Sequence, residues 1–261
     1  MEKLFIIKIG GNVIDQPEAF ATFLDDFAQI EGKKILVHGG GKLATDLAKT
    51  LGIATKMVEG RRITDAETLK VVTMVYAGLI NKSIVSGLQS RGCNALGLTG
   101  ADANVIAATK RQHATLDFGF VGDIARVNSA AIISFLQAGI SPVFAPLTHD
   151  GKGLMLNTNA DAIAAALAAA LLPHFKMSLI YCFDKPGVLA STHEDSVISR
   201  LTLARYHELR TAGIISQGMI PKLDESFAAL QAGAEAIILC HASQIRLAIG
   251  GETPVGTRLS L

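Results

Sequence analysis

The feature that most constrains this chain is the alternation of short apolar runs with helical patterns. Continuous apolar runs cover residues 4–9, 33–38, 95–100, 141–146, 178–183 and 234–240. Most of them lead toward a segment of helical periodicity, such as 17–30, 42–51 or the alanine-rich 160–172. Short, continuous apolar strands that alternate with helices are typical of a parallel sheet covered on both faces. The sequence therefore predicts an α/β fold.

Two segments break this alternation. Residues 53–63 and 103–127 are predicted to be β-hairpins at a sheet edge, where a substrate lid would lie. One long helix is predicted after the first hairpin, and Thr64 and Glu67 have capping-box spacing at its start. Since no linker rich in Pro, Gly or Ser divides the chain, we expect an N-terminal lobe of about residues 1–170 and a C-terminal lobe of about 171–261.

Composition excludes several classes of protein. Hydrophobic residues make up 49% and charged residues 18%, as in ordinary soluble proteins, and a net charge of +1 without a basic run argues against nucleic-acid binding. Cys93, Cys182 and Cys240 are widely spaced, which favours reduced thiols. The start of the chain does not resemble a secretory signal, and the helix at 160–172 is too short to cross a bilayer. We therefore expect a cytoplasmic protein with no membrane or nucleic-acid partner.

Two glycine turns follow apolar strands. The first is Lys8, Gly10 and Gly11 in "LFIIKIGGN", and the second is Gly39–Gly41 in "VHGGGK". Ligands of open parallel sheets bind outside the carboxyl ends of the strands, so both turns would face one crevice. An ammonium group and unshielded backbone N–H groups suit developing negative charge, as in phosphoryl transfer. Taken singly, each turn is equally explained as a tight turn with a lysine at a strand end.

A dinucleotide site is the alternative for the second turn. Gly39, Gly41 and Ala44 fit G-x-G-x-x-G/A. The expected acidic residue about 20 positions on would be Glu59, but it lies in an "EGRR" turn rather than at the end of a strand. A Rossmann enzyme also usually carries this fingerprint on its first strand, which argues against a nicotinamide or flavin role.

Two polar segments add candidate site residues. Asn157, Asn159 and Asp161 directly precede the alanine-rich helix, where they would serve either a site or merely as an N-cap and dipole partner. Lys222 lies just inside the start of another helix, where a cation opposes the macrodipole and favours an anionic partner. Asp161 and a phosphate group are both candidates for that partner.

The segments "KIGGN", "VHGGGK", "EGRRIT", "FGFVGDI", "LNTNADAIAAAL", "DKPGVL" and "QGMIPKL" follow in the order and spacing of one family. Over its whole length the chain resembles the amino acid kinase family, and within it the kinases of N-acetyl-L-glutamate. The resemblance implies a three-layer αβα sandwich with an open, mainly parallel sheet, the acylated amino acid in the N-terminal lobe and ATP in the C-terminal lobe. The implied reaction phosphorylates the γ-carboxylate of N-acetyl-L-glutamate, the second step of arginine biosynthesis through acetylated intermediates.

The resemblance also implies catalytic roles. Lys8 would neutralise the transferring phosphoryl group, Lys222 would draw charge toward the leaving oxygens, and Asp161 would hold both ammonium groups. Gly11 and Gly40 would offer backbone N–H groups. A carboxylate acceptor is already deprotonated at pH 7, so no general base is needed and catalysis can rest on positioning and electrostatics.

The binding residues follow in the same way. Arg62, which would otherwise be a solvated turn arginine, would grip the substrate's α-carboxylate, with Gly40, Gly41, Asn157 and Asn159 around the rest of the substrate. Magnesium would be held mainly by phosphates and water, so no protein ligand is predicted. The residues implied for ATP are Gly10, Gly11, Asp184, Lys185, Gly187, Val188, Leu189, Ile214, Ile215, Ser216, Gly218 and Lys222.

Several alternatives stay open at this point. The first strand begins at about residue 4, without the preceding helix of arginine-inhibited hexamers, so the chain resembles the short, arginine-insensitive, dimeric type. The long helix from Asp65 is a candidate dimer seam, or simply an amphipathic helix on the core. The acyl group would be acetyl or succinyl, depending on lid residues 101–104 and 118–121. Other readings are a sister kinase of carbamate, aspartate, glutamate or UMP, or a non-catalytic sensor; a sensor should have lost one of Lys8, Asp161 or Lys222.

Overall fold

The computed structural model describes residues 1–58, 61–191, 193, 195–215, 219–251 and 255–261. The strands of the described residues are β1 (Lys3–Ile9), β2 (Lys33–His38), β3 (Lys56–Val58), β4 (Arg61–Ile63), β5 (Ala95–Leu98), β6 (Ile106–Lys110), β7 (Gly122–Val127), β8 (Ser141–Phe144), β9 (Leu147–His149), β10 (Met155–Asn157), β11 (Lys176–Phe183), β12 (Arg200–Thr202), β13 (Ala236–His241) and β14 (Thr257–Ser260). The α-helices are α1 (Gly11–Ile14), α2 (Pro17–Ala28), α3 (Gly41–Thr50), α4 (Ala66–Thr73), α5 (Asn81–Gln89), α6 (Ser129–Gln137), α7 (Ala160–Leu171), α8 (Leu203–Thr211), α9 (Ile220–Gln231) and α10 (Ile245–Gly250).

The central sheet has eight strands in the order β12-β14-β13-β11-β1-β2-β8-β5. Each neighbouring pair is parallel except β13 and β14. The strands that precede residue 171 in the chain form one half of this sheet, and the later strands form the other half. The open, mainly parallel sheet confirms the predicted fold class.

Helices cover both faces of the sheet. One core combines the sheet with α6, α7, α8 and α9, and the other combines it with α2, α3, α4, α5 and α10. Because successive side chains of a strand point to opposite faces, Leu4 and Ile6 enter the first core while Ile7 and Ile9 enter the second. The same alternation directs Lys8 to the face that carries α7 and α9.

The dinucleotide alternative does not fit this topology. After the second glycine turn, α3 leads to the antiparallel pair β3 and β4 rather than to another parallel strand of the central sheet. Glu59, the acidic residue considered for that site, lies outside the described residues. The second glycine turn therefore does not open a Rossmann unit.

One continuous helix, Ala66–Gln89, follows this hairpin, and its middle part is a π segment (Met74–Ile80) between α4 and α5. The capping-box prediction was wrong by one residue. Asp65 is the N-cap and accepts a hydrogen bond from the Thr68 N–H at 2.8 Å. Thr64 is engaged elsewhere, because its hydroxyl donates to the Arg62 carbonyl and its backbone bonds to residues 118 and 120.

By length and composition alone, this helix would also be able to cross a membrane. Its apolar residues Val71, Val75, Ile84 and Leu88 are instead buried against the second core. The helix is therefore built into the fold as a core helix.

The two predicted hairpins are present as antiparallel pairs. One joins β3 and β4, and the other joins β6 and β7 within a four-stranded sheet of order β10-β9-β6-β7. The hairpins meet where Thr64 exchanges backbone hydrogen bonds with Phe118 and Phe120, at 3.0 and 2.6 Å. Together they form a wall near the carboxyl ends of β1 and β2.

Candidate active site

The two glycine turns pack directly against each other. A Cβ atom added to Gly11 would lie 3.4 Å from the Gly40 nitrogen, and one added to Gly39 would lie 3.4 Å from the Gly11 nitrogen. Gly10 donates to the Cys182 carbonyl at 2.9 Å and Gly39 donates to the Ile9 carbonyl at 3.2 Å, so each turn is anchored to the central strands. The crevice between the turns is lined by backbone.

Position 40 requires glycine more strictly than positions 10, 11 and 39 do. Its φ is +149°, and an added Cβ would lie 2.2 Å from Ile80 Cδ1 and 3.3 Å from Tyr76 Cδ1. Only glycine adopts this conformation readily, and only glycine leaves room for the two side chains. The π segment that carries Tyr76 and Ile80 therefore packs on the glycine turn itself.

A carboxylate lies between two ammonium groups beside these turns. Asp161 Oδ1 is 2.8 Å from Lys8 Nζ, and Asp161 Oδ2 is 3.5 Å from Lys222 Nζ. Lys8 comes from β1, Asp161 from the first turn of α7 and Lys222 from the first turn of α9. Lys222 Nζ also lies 5.1 Å from the ring centroid of Tyr181 and 5.4 Å from that of Phe183. The structure thus brings together the three charged residues nominated from sequence.

Burial and charge set the ionisation of this trio. Burial raises the pKa of Asp161, but the ammonium groups of Lys8 and Lys222 outweigh it and bring that pKa below its usual range. Burial and the charge of Lys8 lower the pKa of Lys222, and Asp161 opposes them. Two lysines and one carboxylate give the trio a formal charge of +1, which favours an anionic ligand.

A cavity of about 560 Å³ opens beside the second glycine turn. Its walls come from the glycine turn, from the long helix, from both hairpins and from the start of α7. The lining includes Gly39, Gly40, Gly41, Met57, Arg62, Tyr76, Arg111, Val121, Gly122, Asp123, Ile124, Asn157, Thr158, Asn159, Ala160, Ala162 and Glu225. This volume suits a small organic molecule.

The residues nominated for the acylated substrate line this cavity. Arg62 is buried, not the solvated turn residue of the alternative interpretation, and its Nη2 donates to the Gly41 carbonyl and to Thr45 Oγ1, both at 2.8 Å. Asn157 Nδ2 donates to Thr64 Oγ1 at 3.0 Å. Asn159 is the N-cap of α7, because its Oδ1 accepts from the Asp161 and Ala162 N–H groups at 2.7 and 3.2 Å. Its oxygen therefore orients the helix that carries Asp161.

Five of the residues nominated for ATP follow the carboxyl end of β11 and do not line this cavity: Asp184, Lys185, Gly187, Val188 and Leu189. Asp184 accepts from Asn12 Nδ2 at 3.0 Å in the exposed turn that also holds Lys185. Gly187 packs so closely on Thr257 that an added Cβ would lie 2.8 Å from its hydroxyl, and the Val188 N–H donates to the same oxygen at 2.8 Å. Leu189 forms a bridge with Val197, Ile215 is buried and Ile214 is exposed. Ser216 and Gly218 lie outside the described residues.

Sequence reasoning missed three charged residues of the cavity lining. Glu225 lies one turn after Lys222 on α9; burial and the charge of Asp161 raise its pKa to about 7, while Lys222 opposes them. The spacing of three residues on a helix was a signal that pointed to it. Arg111 and Asp123 form an ion pair across the hairpin of β6 and β7, with Arg111 Nε 3.0 Å from Asp123 Oδ1. No local pattern signalled that pair, because it depends on the register of two strands.

Among the described residues, no group of three or more His, Cys, Asp or Glu side chains is placed to hold a metal ion.

A crevice with lysine side chains and unshielded backbone at the carboxyl ends of an open, mainly parallel sheet is typical of α/β proteins that bind charged small molecules. Comparison with known proteins narrows this class. The model of the amino acid kinase family matches residues 3–240. The chain belongs to the amino acid kinase family.

Two curated relatives are both named acetylglutamate kinase. The protein of Cytophaga hutchinsonii is 56% identical over 261 residues, which cover 99% of each chain. The protein of Phocaeicola vulgatus is 56% identical over 245 residues, which cover 94% of this chain and 95% of the relative. A crystal structure of N-acetylglutamate synthase from Neisseria gonorrhoeae has a TM-score of 0.84 at 18% identity, over 99% of this chain and 59% of that one, and is similar in fold.

Proposed function

We propose that this protein transfers the γ-phosphoryl group of ATP to the γ-carboxylate of N-acetyl-L-glutamate, which yields N-acetyl-L-glutamyl 5-phosphate for arginine biosynthesis. The observation that carries the proposal is the position of Asp161 between Lys8 and Lys222, beside two bare glycine turns. Relatives named acetylglutamate kinase support the choice of substrate.

The reaction forms a bond between a substrate carboxylate oxygen and the γ-phosphorus, and it breaks the bond from that phosphorus to the β,γ-bridging oxygen. The bonding electrons leave with ADP, and no proton moves. Lys8 neutralises the phosphoryl group in transfer, and Lys222 stabilises the charge that develops on the leaving oxygens. Gly11 and Gly40 donate backbone N–H groups to the phosphoryl oxygens. These groups are oriented before the reaction, so they stabilise its transition state without reorganisation.

Asp161 has a positioning role in this mechanism. Its two carboxylate oxygens face different lysines, so one rigid side chain sets the separation of the two ammonium groups. The Asn159 cap and the first turn of α7 hold the carboxylate in place. Mg²⁺ bound to phosphate oxygens and water would neutralise part of the nucleotide charge.

Arg62, Asn157 and Asn159 would bind the acylated amino acid in the cavity. Arg62 uses Nη2 for the Gly41 carbonyl and Thr45, and we assign the rest of its guanidinium to the α-carboxylate. The Asn157 and Asn159 amides would bind the amide and carboxylate of the substrate, and Gly40 and Gly41 would approach it with their backbone.

We assign nucleotide binding to the half of the sheet after residue 171, which would form the C-terminal lobe. Its residues are those nominated from sequence around β11 and the start of α9, together with Gly10 and Gly11. The preceding half would be the N-terminal, acyl-amino-acid lobe. The β6–β7 hairpin would close over the acyl group.

A homodimer in the cytoplasm completes the proposal. Cys93, Cys182 and Cys240 are buried free thiols, in keeping with a reducing compartment. Met74 and Leu79 are exposed apolar side chains on the long helix, and they are our candidates for the dimer seam.

N-succinyl-L-glutamate is a second candidate substrate because of Arg111. An acetylated glutamate carries two carboxylates, which the trio and Arg62 would serve. Arg111 adds a further cation to the cavity lining, where it pairs with Asp123 and lies 5.6 Å from the Phe118 ring centroid. A succinyl carboxylate would find a partner there that an acetyl methyl group does not need.

The test is a coupled ADP-release assay with purified protein and MgATP. N-acetyl-L-glutamate, N-succinyl-L-glutamate, glutamate, aspartate and carbamate are offered separately. Turnover confined to N-acetyl-L-glutamate supports the proposal, and a preference for the succinyl form that Arg111→Met removes supports the second candidate. Turnover of another acceptor would identify a sister kinase, and no turnover at all would favour a sensor.

A further inference from the structure

His38 is a buried titratable residue that the mechanism above does not use. It is the last residue of β2 and directly precedes the second glycine turn, with no exposed surface. Burial lowers its pKa to about 4, so the imidazole is neutral at pH 7. A neutral imidazole has one N–H donor and one acceptor nitrogen, and the neighbouring groups decide which is which.

The neighbours of His38 determine its tautomer. Asn81 Nδ2 lies 2.9 Å from the Val143 carbonyl, which can only accept, so the Asn81 amide nitrogen must face it. The same nitrogen lies 3.2 Å from His38 Nε2, which must therefore accept the second amide hydrogen. The ring proton is then on Nδ1, which lies 2.8 Å from the Gly39 carbonyl oxygen and donates to it.

This hydrogen bond has a consequence at the next residue. In a trans peptide the C=O and N–H bonds point in opposite directions. Because His38 holds the Gly39 oxygen, the Gly40 N–H points away from His38. The Gly40 nitrogen itself lies beside the first glycine turn, 3.4 Å from a Cβ atom added to Gly11. A peptide unit between two glycines has no Cβ to resist rotation, so an external restraint is needed to hold it.

The long helix completes the restraint. Asn81 follows the π segment, whose Tyr76 and Ile80 pack on Gly40. Asn81 is buried as well, and its Oδ1 accepts from Lys82 Nζ at 3.2 Å. One helix therefore contacts Gly40 from the side and holds the ring that orients the Gly40 N–H.

We propose that His38, fixed in its Nδ1–H tautomer by Asn81, is a positioning residue that orients the Gly39–Gly40 peptide so that the Gly40 N–H is ready to stabilise the transferring phosphoryl group. The kinetic part of this inference rests on the proposed function. Its structural part does not, because the tautomer and the peptide orientation belong to the free protein.

The first experiment measures the tautomer by NMR. Protein with ¹⁵N-labelled histidine rings is recorded at pH 7 without ligand, and His38 is assigned by its loss in His38→Asn. We expect protonated Nδ1 and unprotonated Nε2, the reverse of the tautomer that free histidine prefers in water. A His38 ring protonated at Nε2 would overturn the inference.

The second experiment separates positioning from stability by comparing three variants. The amide of His38→Asn can still donate from near the Nδ1 position, whereas His38→Leu removes the donor. Lys34→Met is the matched control: Lys34 is buried, donates to the carbonyls of Phe27, Ala28 and Ile30, and does not line the cavity. All three are expected to lower the urea midpoint.

We expect kcat to fall about 100-fold in His38→Leu and less than about tenfold in His38→Asn, with KM values within about threefold, the pattern of a lost transition-state donor. Lys34→Met should retain kcat. Equal losses of kcat in the two His38 variants, or a His38→Leu enzyme within about threefold of wild type, would overturn the inference. If wild type turns over no acceptor, the proposed function fails while the NMR result still decides the tautomer.

Discussion

At the scale of single residues, Asp161 is held both at its side chain and at its backbone. Its carboxylate contacts Lys8 and Lys222 at once, and its backbone N–H is held by the Asn159 side chain. Burial and the charge of Lys8 lower the pKa of Lys222, and the Asp161 carboxylate opposes both effects. The carboxylate therefore offsets the repulsion between the two ammonium groups.

Asp161→Asn should therefore reduce kcat by about 100-fold or more, with a smaller change in KM for either substrate. The amide keeps the shape but cannot neutralise either ammonium group. Steady-state kinetics by coupled ADP release checks this. Asp224→Asn is the control, because Asp224 lies on the same helix as Lys222 but pairs with Arg210 and Tyr206 outside the cavity. A kcat within about threefold of wild type in Asp161→Asn would contradict the assigned role.

Glu225 makes the stability of the folded protein depend on pH. Its pKa in the folded state is raised to about 7 from 4.5, so the folded protein binds this proton more tightly than the unfolded chain does. The resulting stability is fully present below about pH 4.5 and is lost as pH rises through about 7.

Glu225→Gln removes this dependence. When the pH is raised from 5 to 8, we expect the free energy of unfolding of Glu225→Gln to increase by about 1 kcal/mol relative to that of wild type. This value already allows for partial screening by water. Urea unfolding at the two pH values measures the difference. A difference that does not change with pH would show that Glu225 ionises normally.

At the scale of elements, two helix N-caps allow a matched test. Asn159 caps α7, which carries Asp161, and Asn128 caps α6 by accepting from the Ala131 N–H. Each Asn→Ala variant should cost about 1 kcal/mol of stability. We expect only Asn159→Ala to lower kcat, because only α7 carries a residue of the trio.

A second substitution at the same position separates the cap from substrate binding. Asn159→Asp keeps the acceptor oxygen at the cap but loses the amide donor that the substrate would use. We expect wild-type stability with a raised KM for the acylated glutamate. An unchanged KM would limit Asn159 to its role as an N-cap.

At the scale of the whole molecule, exposed apolar side chains on the long helix predict a dimer. Met74 is the first residue of the π segment and Leu79 is its next-to-last residue, and each is more than half exposed. Light scattering should give wild type twice the chain mass of 27.4 kDa. The double variant Met74→Lys/Leu79→Lys should give a single chain mass, because it places charges in an apolar contact.

Leu247→Lys is the control for this prediction. Leu247 is about half exposed, like Met74, but lies on α10, away from the proposed seam. A double variant that remains dimeric, or a wild type that is monomeric at micromolar concentration, would contradict the assignment.

Much of the fold was readable from local patterns. The six apolar strands, the two hairpins and the two glycine turns are each set by contiguous residues, so periodicity and turn chemistry predicted them. The short strands β9, β12 and β14 were not predicted. The capping box failed because Thr64 and Asp65 both suit an N-cap, and the contacts of Thr64 with the neighbouring hairpin decided between them. The π segment had no sequence signal, and its contacts with Gly40 through Tyr76 and Ile80 are tertiary.

The candidate site likewise combines features that local sequence predicts with contacts that it does not predict. Residue type and local position were enough to show which residues carry charge or unshielded backbone at strand and helix ends, so these were readable from the sequence. Three contacts appeared only after folding: Asp161 lies between Lys8 and Lys222, Arg111 pairs with Asp123 across the hairpin, and Asn81 sets the tautomer of His38. Each of these contacts joins separate elements, so it exists only once the elements pack around a shared sheet.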